Sequence, residues 1–351
     1  MKFESCNSGV WLSGEGEETD IVISTRLRLA RNIEGYTFKG KISDEEEKRL
    51  ESVLSLKVRD AGIDKGMQYV KLDDLDEIDR LLLLENHLIS LEHFNAKGPR
   101  GVACDPTGSI SIMVNEEDHL RIQVIISGLG LTEGWKKIRR IDDIMSNCVN
   151  YSFNDNYGYL TSCPTNVGTG LRISVMLHLP ALVLSKHIEK VFNAVSQVNL
   201  AVRGFFGEGS QAVGDFYQIS NQITLGVTPE EILNSLVKIV PKILDYEREV
   251  RRAMMSDSRK VLEDKVWRAM GMLQNARSIT SEETMTYLSS LRLGVTMNLL
   301  DDIPLDTVNQ LFLDIQPGHL QRIEGRSLFP EERDVVRANL LRSRLQKNGQ
   351  N

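Results

Sequence analysis

Two periodicities divide the chain. Up to about residue 225, short runs alternate apolar and polar positions, the period of a half-buried strand, and glycine-rich turns separate them. Beyond that point strand signals fade and helix starts dominate. Thr228-Pro229-Glu230-Glu231 offers a capping box with proline at the first helical position. Thr280-Ser281-Glu282-Glu283 repeats the box, and Phe329-Pro330-Glu331-Glu332 opens a last helix. The pattern predicts α+β architecture: an antiparallel sheet flanked by helices over residues 1–255, then a mostly helical C-terminal domain over 256–351.

Four of the period-two runs carry arginine on the polar side. In Ile23-Ser24-Thr25-Arg26-Leu27-Arg28-Leu29, alternation puts Arg26 and Arg28 on one face and the leucines on the other. The run His119 to Val124 carries Arg121, Arg172 to Leu177 carries Arg172, and Val198 to Arg203 ends on Arg203. Any one of these fits a solvated arginine on a half-exposed strand. Four together point elsewhere: strands paired in one sheet would gather five arginines on one face. Arginine grips phosphate because its planar fork donates two parallel hydrogen bonds and keeps its charge at working pH.

Composition narrows the chemistry. The chain has 351 residues, 41% hydrophobic and 26% charged, enough for two globular domains. A net charge of -7 argues against direct nucleic-acid binding, so an anion site must concentrate its arginines locally. No apolar run is long enough to span a bilayer and no signal peptide is apparent, so the expectation is a cytoplasmic protein without a membrane partner. Cys6, Cys104, Cys148 and Cys163 show no C-x-x-C pair, and neither a zinc site nor a disulfide framework is indicated. There is no G-x-x-x-x-G-K-[ST] loop, and Asp215-Phe216-Tyr217 is not a D-F-G. Gly207 to Ala212 fits G-x-G-x-x-A, but a strand from Asp215 to Asn221 follows where a dinucleotide fold needs a helix.

Three segments carry candidate chemistry. Asn115-Glu116-Glu117-Asp118-His119-Leu120-Arg121 places three carboxylates at a tight strand connection, which alone would read as a solvated turn. Tyr159 to Gly170 sets Cys163-Pro164-Thr165-Asn166 before Gly168-Thr169-Gly170 and the Arg172 strand. Arg203-Gly204-Phe205-Phe206-Gly207-Glu208 puts a carboxylate on a loop after the fourth strand.

With Ser24-Thr25-Arg26-Leu27-Arg28, these segments closely resemble the phosphagen (guanidino) kinases, which transfer phosphate between ATP and a guanidino group, over about Ile21 to Asp245. The resemblance implies ATP and Mg²⁺, with nucleotide contacts from Ser24, Thr25, Arg26, Leu27, Arg28, Arg121, Arg172, Ile173, Ser174, Val175, Met176, Arg203, Gly204, Phe205, Phe206, Gly207 and Glu208. It gives the guanidinium to Glu117 and Glu208, with Cys163 beside it. His87 is similar to the family's nucleotide-binding histidine, although its surroundings match less well and alone it reads as a partly buried helix residue. The chemistry agrees. A guanidinium, with a pKa above ~12, attacks phosphorus only when held in line and relieved of a proton. Glu117 is the expected general base, Glu208 the second side of the clamp, and the Ser162 hydroxyl the expected hydrogen-bond partner of a Cys163 thiolate.

Three departures separate the chain from the small-molecule enzymes. Those carry a helical domain before the first arginine motif, where this chain has about twenty residues. Phe206 stands where they have an arginine, and the helical region after about residue 255 has no counterpart in them. The same departures resemble the bacterial protein-arginine kinases, a branch that marks proteins with phosphoarginine in the stress response and Clp-dependent degradation. That branch implies protein substrates with exposed arginine, among them a stress-gene repressor. It also implies a zinc-binding activator protein, the Clp chaperone-protease and a homodimer. Arg333-Asp334-Val335-Val336-Arg337-Ala338 resembles its phosphoarginine-binding motif, although spacing alone gives only an amphipathic helix with two arginines one turn apart. A free-arginine kinase and a non-catalytic repressor-binding adaptor remain as alternative readings.

Overall fold

The computed structural model describes residues 9–204 and 213–346. Its strands are β1 (Val22–Arg31), β2 (Gln68–Lys71), β3 (Gly101–Cys104), β4 (Ile110–Val114), β5 (Leu120–Ser127), β6 (Phe153–Asn154), β7 (Gly158–Tyr159), β8 (Leu171–His178), β9 (Leu200–Gly204) and β10 (Phe216–Asn221). Eight form one sheet in the order β2-β3-β4-β5-β1-β8-β10-β9, every neighbouring pair antiparallel, while β6 and β7 make a separate hairpin.

Among the helices, α1 (Asp44–Asp60), α2 (Glu77–Glu85), α3 (Leu91–Asn95), α4 (Leu131–Ser146), α5 (Pro180–Leu184), α6 (Ile188–Ser196) and α7 (Pro229–Asp257) lie within or directly after the sheet sequence. The C-terminal set is α8 (Arg259–Asn275), α9 (Ser281–Thr296), α10 (Leu305–Asp314), α11 (Pro317–Glu324) and α12 (Pro330–Leu345). Both sequence-predicted capping boxes form. The Thr228 hydroxyl accepts from the Glu231 N–H and the Glu231 carboxylate from the Thr228 N–H, and Thr280 and Glu283 repeat the exchange. The Glu332 carboxylate likewise accepts the Phe329 N–H at the start of α12.

Alternation along the central strands separates two faces. Leu27, Leu29, Ile122, Val124, Ile173 and Val175 turn to one side, are all fully or nearly fully buried, and share a core with α1, α4, α6 and α7. Burying each such side chain is worth about 1.5–3 kcal/mol, which fixes the register, since a one-residue slip would expose the whole set. Helix α4 lies so close that a Cβ on Gly134 would stand 2.3 Å from Leu27, and the Thr25 hydroxyl on this face pins its start by accepting the Gly130 N–H at 3.0 Å.

The opposite face holds the arginines. It is apolar at both margins. On one side Val102, Cys104 and Met113 pack under Leu83 and Leu88 around α2; on the other, Ile125, Met176 and Phe216 pack under the C-terminal helices. The two covers meet where the Glu85 carboxylate at the end of α2 accepts the N–H groups of Gly318 and His319 at 2.6 and 3.1 Å, and Arg322 pairs with Asp79. Between them lies a cleft of about 850 Å³.

Candidate active site

The floor of the cleft is the arginine face. Arg28 on β1 sits directly opposite Arg172 on β8, Ala30 opposite Arg121 on β5, and Arg203 opposite Gln218 across β9 and β10. Arg26, Arg28, Arg121, Arg172 and Arg203 all border the cleft, as the period-two reading expects. Burial, then repulsion from Arg121 and Arg172, pushes Arg26 down to about 10. Arg28 is likewise held well below its ordinary value by burial, then by Arg26, Arg121 and Arg172. Like charges crowded this way fit a polyanion whose oxygens would share them.

The same alternation limits which of the expected nucleotide contacts could be made by side chains. Only Ser24, Arg26, Arg28, Arg172, Ser174 and Met176 present side chains to the cleft face. Thr25, Leu27, Ile173 and Val175 point into the opposite core, where each is 0% exposed, so their side chains cannot touch a nucleotide. Phe205, Phe206, Gly207 and Glu208 lie outside the described residues.

His87 is not a helix residue. Helix α2 ends at Glu85, and His87 turns the chain with φ 58°, bringing its half-buried ring against Trp11 at 4.9 Å between centroids. Burial first, then Arg26 and Arg28, lowers its pKa to about 3, so the imidazole is neutral.

The carboxylate turn is not solvated. Asn115 adopts φ 59° and is fixed by Nδ2–H bonds to the carbonyls of Glu47 and Pro99; Asn115, Glu116, Asp118 and His119 are buried and only Glu117 is exposed. Glu116 is a buried acceptor that sequence reading passed over. It takes the Ser90 hydroxyl at 2.5 Å, the Glu117 N–H at 2.8 Å and the Arg121 guanidinium. Burial alone would raise its carboxyl, but Arg121, Ser90 and that N–H hold it below the usual carboxylate range. Asp118 Oδ1 accepts from Asn32 Nδ2 at 2.7 Å and from the Ser162 N–H at 2.6 Å, stitching the turn to the cysteine loop. Glu117 and Cys163 therefore share one wall of the cleft. Burial and its neighbours Glu116 and Asp118 raise the Glu117 carboxyl, the direction a base needs to take a proton from a guanidinium.

The cysteine loop owes its shape to close backbone approaches. A Cβ on Gly168, at φ 108°, would meet the Thr224 carbonyl at 2.2 Å, and the Thr224 hydroxyl donates to the carbonyls of Thr165 and Val167. The hydrogen-bond partner of the Cys163 thiol is the Thr165 hydroxyl at 3.0 Å, two residues on, and not the expected Ser162.

At the other end of the chain, Arg333 and Arg337 form no two-armed clamp. Arg337 is 2% exposed, and its guanidinium donates to the carbonyls of Ile315 and Ile279 and to Asp334 at 2.5 Å. The helix turns this arginine inward, where its fork ties α12 to two loops; Arg333 and Val336 are half-buried, Val335 is exposed and Ala338 is in the core.

The family model described as ATP:guanido phosphotransferase, C-terminal catalytic domain, matches residues 48–250, and one described as Protein-arginine kinase McsB C-terminal domain matches residues 259–351. The chain is 43% identical to a protein-arginine kinase of Halothermothrix orenii, covering 97% of each chain. It is 45% identical to one of Symbiobacterium thermophilum, over 95% of this chain and 96% of that one. Among solved structures, a lombricine kinase superposes with TM-score 0.60 at 26% identity, covering 69% of this chain and 70% of that one. The duplicated taurocyamine kinase of Schistosoma mansoni gives TM-score 0.60 at 28% identity over 65% of this chain, which spans about a third (33%) of that longer protein.

Proposed function

Because the chain belongs to the ATP:guanido phosphotransferase family, and within it to the protein-arginine kinases that act as phosphotransferases on arginine, we propose that it carries phosphate from ATP to arginine side chains displayed on other proteins. The observation that carries this reading is the single wall holding Glu117 and Cys163 at the end of the arginine face, joined through the 2.6 Å bond from the Ser162 N–H to Asp118. A guanidinium entering there meets the exposed carboxylate of Glu117. One nitrogen gives up its proton to Glu117 and bonds to the γ-phosphorus, while the bond to the β,γ-bridging oxygen breaks and releases ADP. Arg26, Arg28, Arg172 and Arg203 hold the phosphates in line and spread the charge, and positioning plus charge neutralisation is most of what this chemistry asks of a protein. Bound Mg²⁺ would neutralise the phosphates further. The arginine floor fits it as an ion carried by the nucleotide, and among the described residues no group of three His, Cys, Asp or Glu side chains is placed to hold it.

The same reading extends to cytoplasmic stress response and Clp-dependent degradation, with a repressor among the substrates, a zinc-binding activator and a homodimer. Its support is the resemblance to the branch. Among the described residues no helix is long and apolar enough to cross a membrane. The test is to incubate the chain with ATP and Mg²⁺ and either free arginine or a basic protein, then locate acid-labile phosphate by mass spectrometry. Phosphoarginine in the protein, with little on free arginine, is the expected outcome; label confined to the free amino acid would overturn it.

A further inference from the structure

The wall that carries Glu117 continues into α3. Ser90 caps that helix by accepting the His93 N–H at 3.0 Å, and its own hydroxyl donates to the Glu116 carboxylate, whose other oxygen takes the Glu117 N–H. The helix is tied down at its far side as well. His93 Nε2–H donates to the Gly101 carbonyl at 3.1 Å, and Arg100 Nε donates to the His93 carbonyl at 2.9 Å. Leu91 and Glu92, the two residues after Ser90, border the cleft together with Glu117. The bond from Ser90 to Glu116 therefore fixes them beside the guanidinium entry.

Both side chains are open to solvent. Leu91 is 55% exposed, and Glu92 is exposed and makes no ion pair among the described residues. Its neighbours on the wall are engaged: Glu116 holds Arg121, and Asp118 holds Asn32 and the Ser162 N–H. Glu92 is near enough for its charge to be felt at Glu117, whose carboxyl is raised by burial, Glu116 and Asp118, lowered by Arg121 and raised again by Glu92. A target arginine neutralises Glu117 and leaves Glu92 uncompensated. A second cation on the same substrate would meet that carboxylate, with its aliphatic stem lying along Leu91.

We propose that Glu92 sets substrate choice by pairing with a lysine or arginine close to the target arginine, so that the chain favours arginines in basic stretches over isolated ones. The proposal rests on the protein-arginine kinase reading and narrows its substrate class. An acid in the first turn of α3 also suits the helix dipole. That role would touch every substrate alike, whereas pairing separates one substrate from another.

The experiment measures kcat/KM at low salt for peptides with a single arginine flanked on both sides by lysine, glutamine or glutamate, using the full chain as wild type, Glu92→Gln and Glu92→Lys. Expected in the wild type is a preference of about fivefold for the lysine-flanked over the glutamine-flanked peptide, the upper range for an exposed pair, shrinking at high salt. In Glu92→Gln that ratio should drop toward one, and Glu92→Lys should favour the glutamate-flanked peptide. A wild type that labels the lysine-flanked and glutamine-flanked peptides equally overturns the proposal and leaves the kinase reading intact. So does an equal loss on all three peptides in both variants, which would assign Glu92 to the helix alone. If neither the peptides nor a basic protein acquires phosphoarginine, the kinase reading falls and the proposal with it.

Discussion

Glu117 is the one exposed member of a buried turn, and its environment sets activity against stability. Its carboxyl is raised by burial and by Glu116 and Asp118, so the folded chain holds that proton more tightly than the unfolded chain does. The stability it contributes is therefore present below the ordinary carboxylate range and is lost as pH rises through its folded pKa. Glu117→Gln should lower transfer by about 10²–10⁴-fold with nucleotide affinity retained, and should also raise the melting temperature near neutral pH. The gain should vanish at about pH 4, where the wild-type side chain is neutral as well. Kinetics and melting curves at the two pH values check both halves, and a variant no more stable at neutral pH would remove the strain. In the wild type the acid limb of the rate profile should lie above the usual glutamate range. Arg337 is a stability residue by the same kind of argument. Its fork satisfies the buried carbonyls of Ile315 and Ile279, so Arg337→Ala should cost about 1–3 kcal/mol in denaturant unfolding, while Arg333→Ala on the half-buried position should be near neutral. Titrating phosphoarginine into Arg333→Ala then asks about ligand binding without the confusion of a damaged core.

At the scale of elements, the joint between α2 and α11 controls the roof of the cleft. Glu85 takes the place of an N-cap for α11, accepting from Gly318, His319 and the His319 ring at 2.7 Å, and two residues later the same segment delivers His87. Glu85→Ala should cost about 1–2 kcal/mol and loosen α11, seen as faster amide exchange there and a several-fold rise in KM for ATP; Glu85→Gln, which can still accept, should recover most of it. Unchanged exchange in α11 would sink the idea. What could be read from the sequence here follows physical rules. Arg26, Arg28, Arg121, Arg172 and Arg203 were legible because strand alternation is local, and Thr228 and Thr280 because a capping box is four residues long. For Thr25, Leu27, Ile173 and Val175 the same alternation turns the side chains into the core, so a nucleotide on the arginine face could meet these residues only through their backbone. Glu116 and the thiol partner Thr165 were not legible, because only tertiary neighbours decide which carboxylate of three is buried and which hydroxyl reaches Cys163. Trp11 carries no local signal at all: its partners lie on α10 and in the turn at His87.

Across the whole molecule, one buried hydrogen-bond chain ties the helical domain to the sheet. Arg292 on α9, 0% exposed, donates to Asn309 Oδ1 at 2.9 Å, to the carbonyls of Asp20 and Thr19 at 3.1 and 2.6 Å, and to His178 Nδ1 at 2.9 Å. Since a guanidinium can only donate, His178 must accept at Nδ1 and carry its proton on Nε2, which then donates to Ser289 Oγ at 2.9 Å. The Ser289 hydroxyl is left to donate to Asp215 Oδ2 at 2.6 Å. Every proton in the chain is thereby assigned. Burial first, then Arg292 and Arg251, holds His178 well below its ordinary pKa, so the order survives mild acid. Asp215 immediately precedes β10, and Thr19 and Asp20 precede β1, so one guanidinium fixes the helical domain to both flanks of the arginine face. Arg292→Leu would leave three acceptors unpaired, Asn309 Oδ1, His178 Nδ1 and the Thr19 carbonyl, while Arg251 still reaches the Asp20 carbonyl, and should cost about 3–5 kcal/mol. Because the loss falls on the junction and spares both cores, unfolding in denaturant should split from one transition into two, the first releasing the C-terminal helices. A variant that still unfolds in one step, with its midpoint unmoved, would show that the two parts are held together by apolar packing alone.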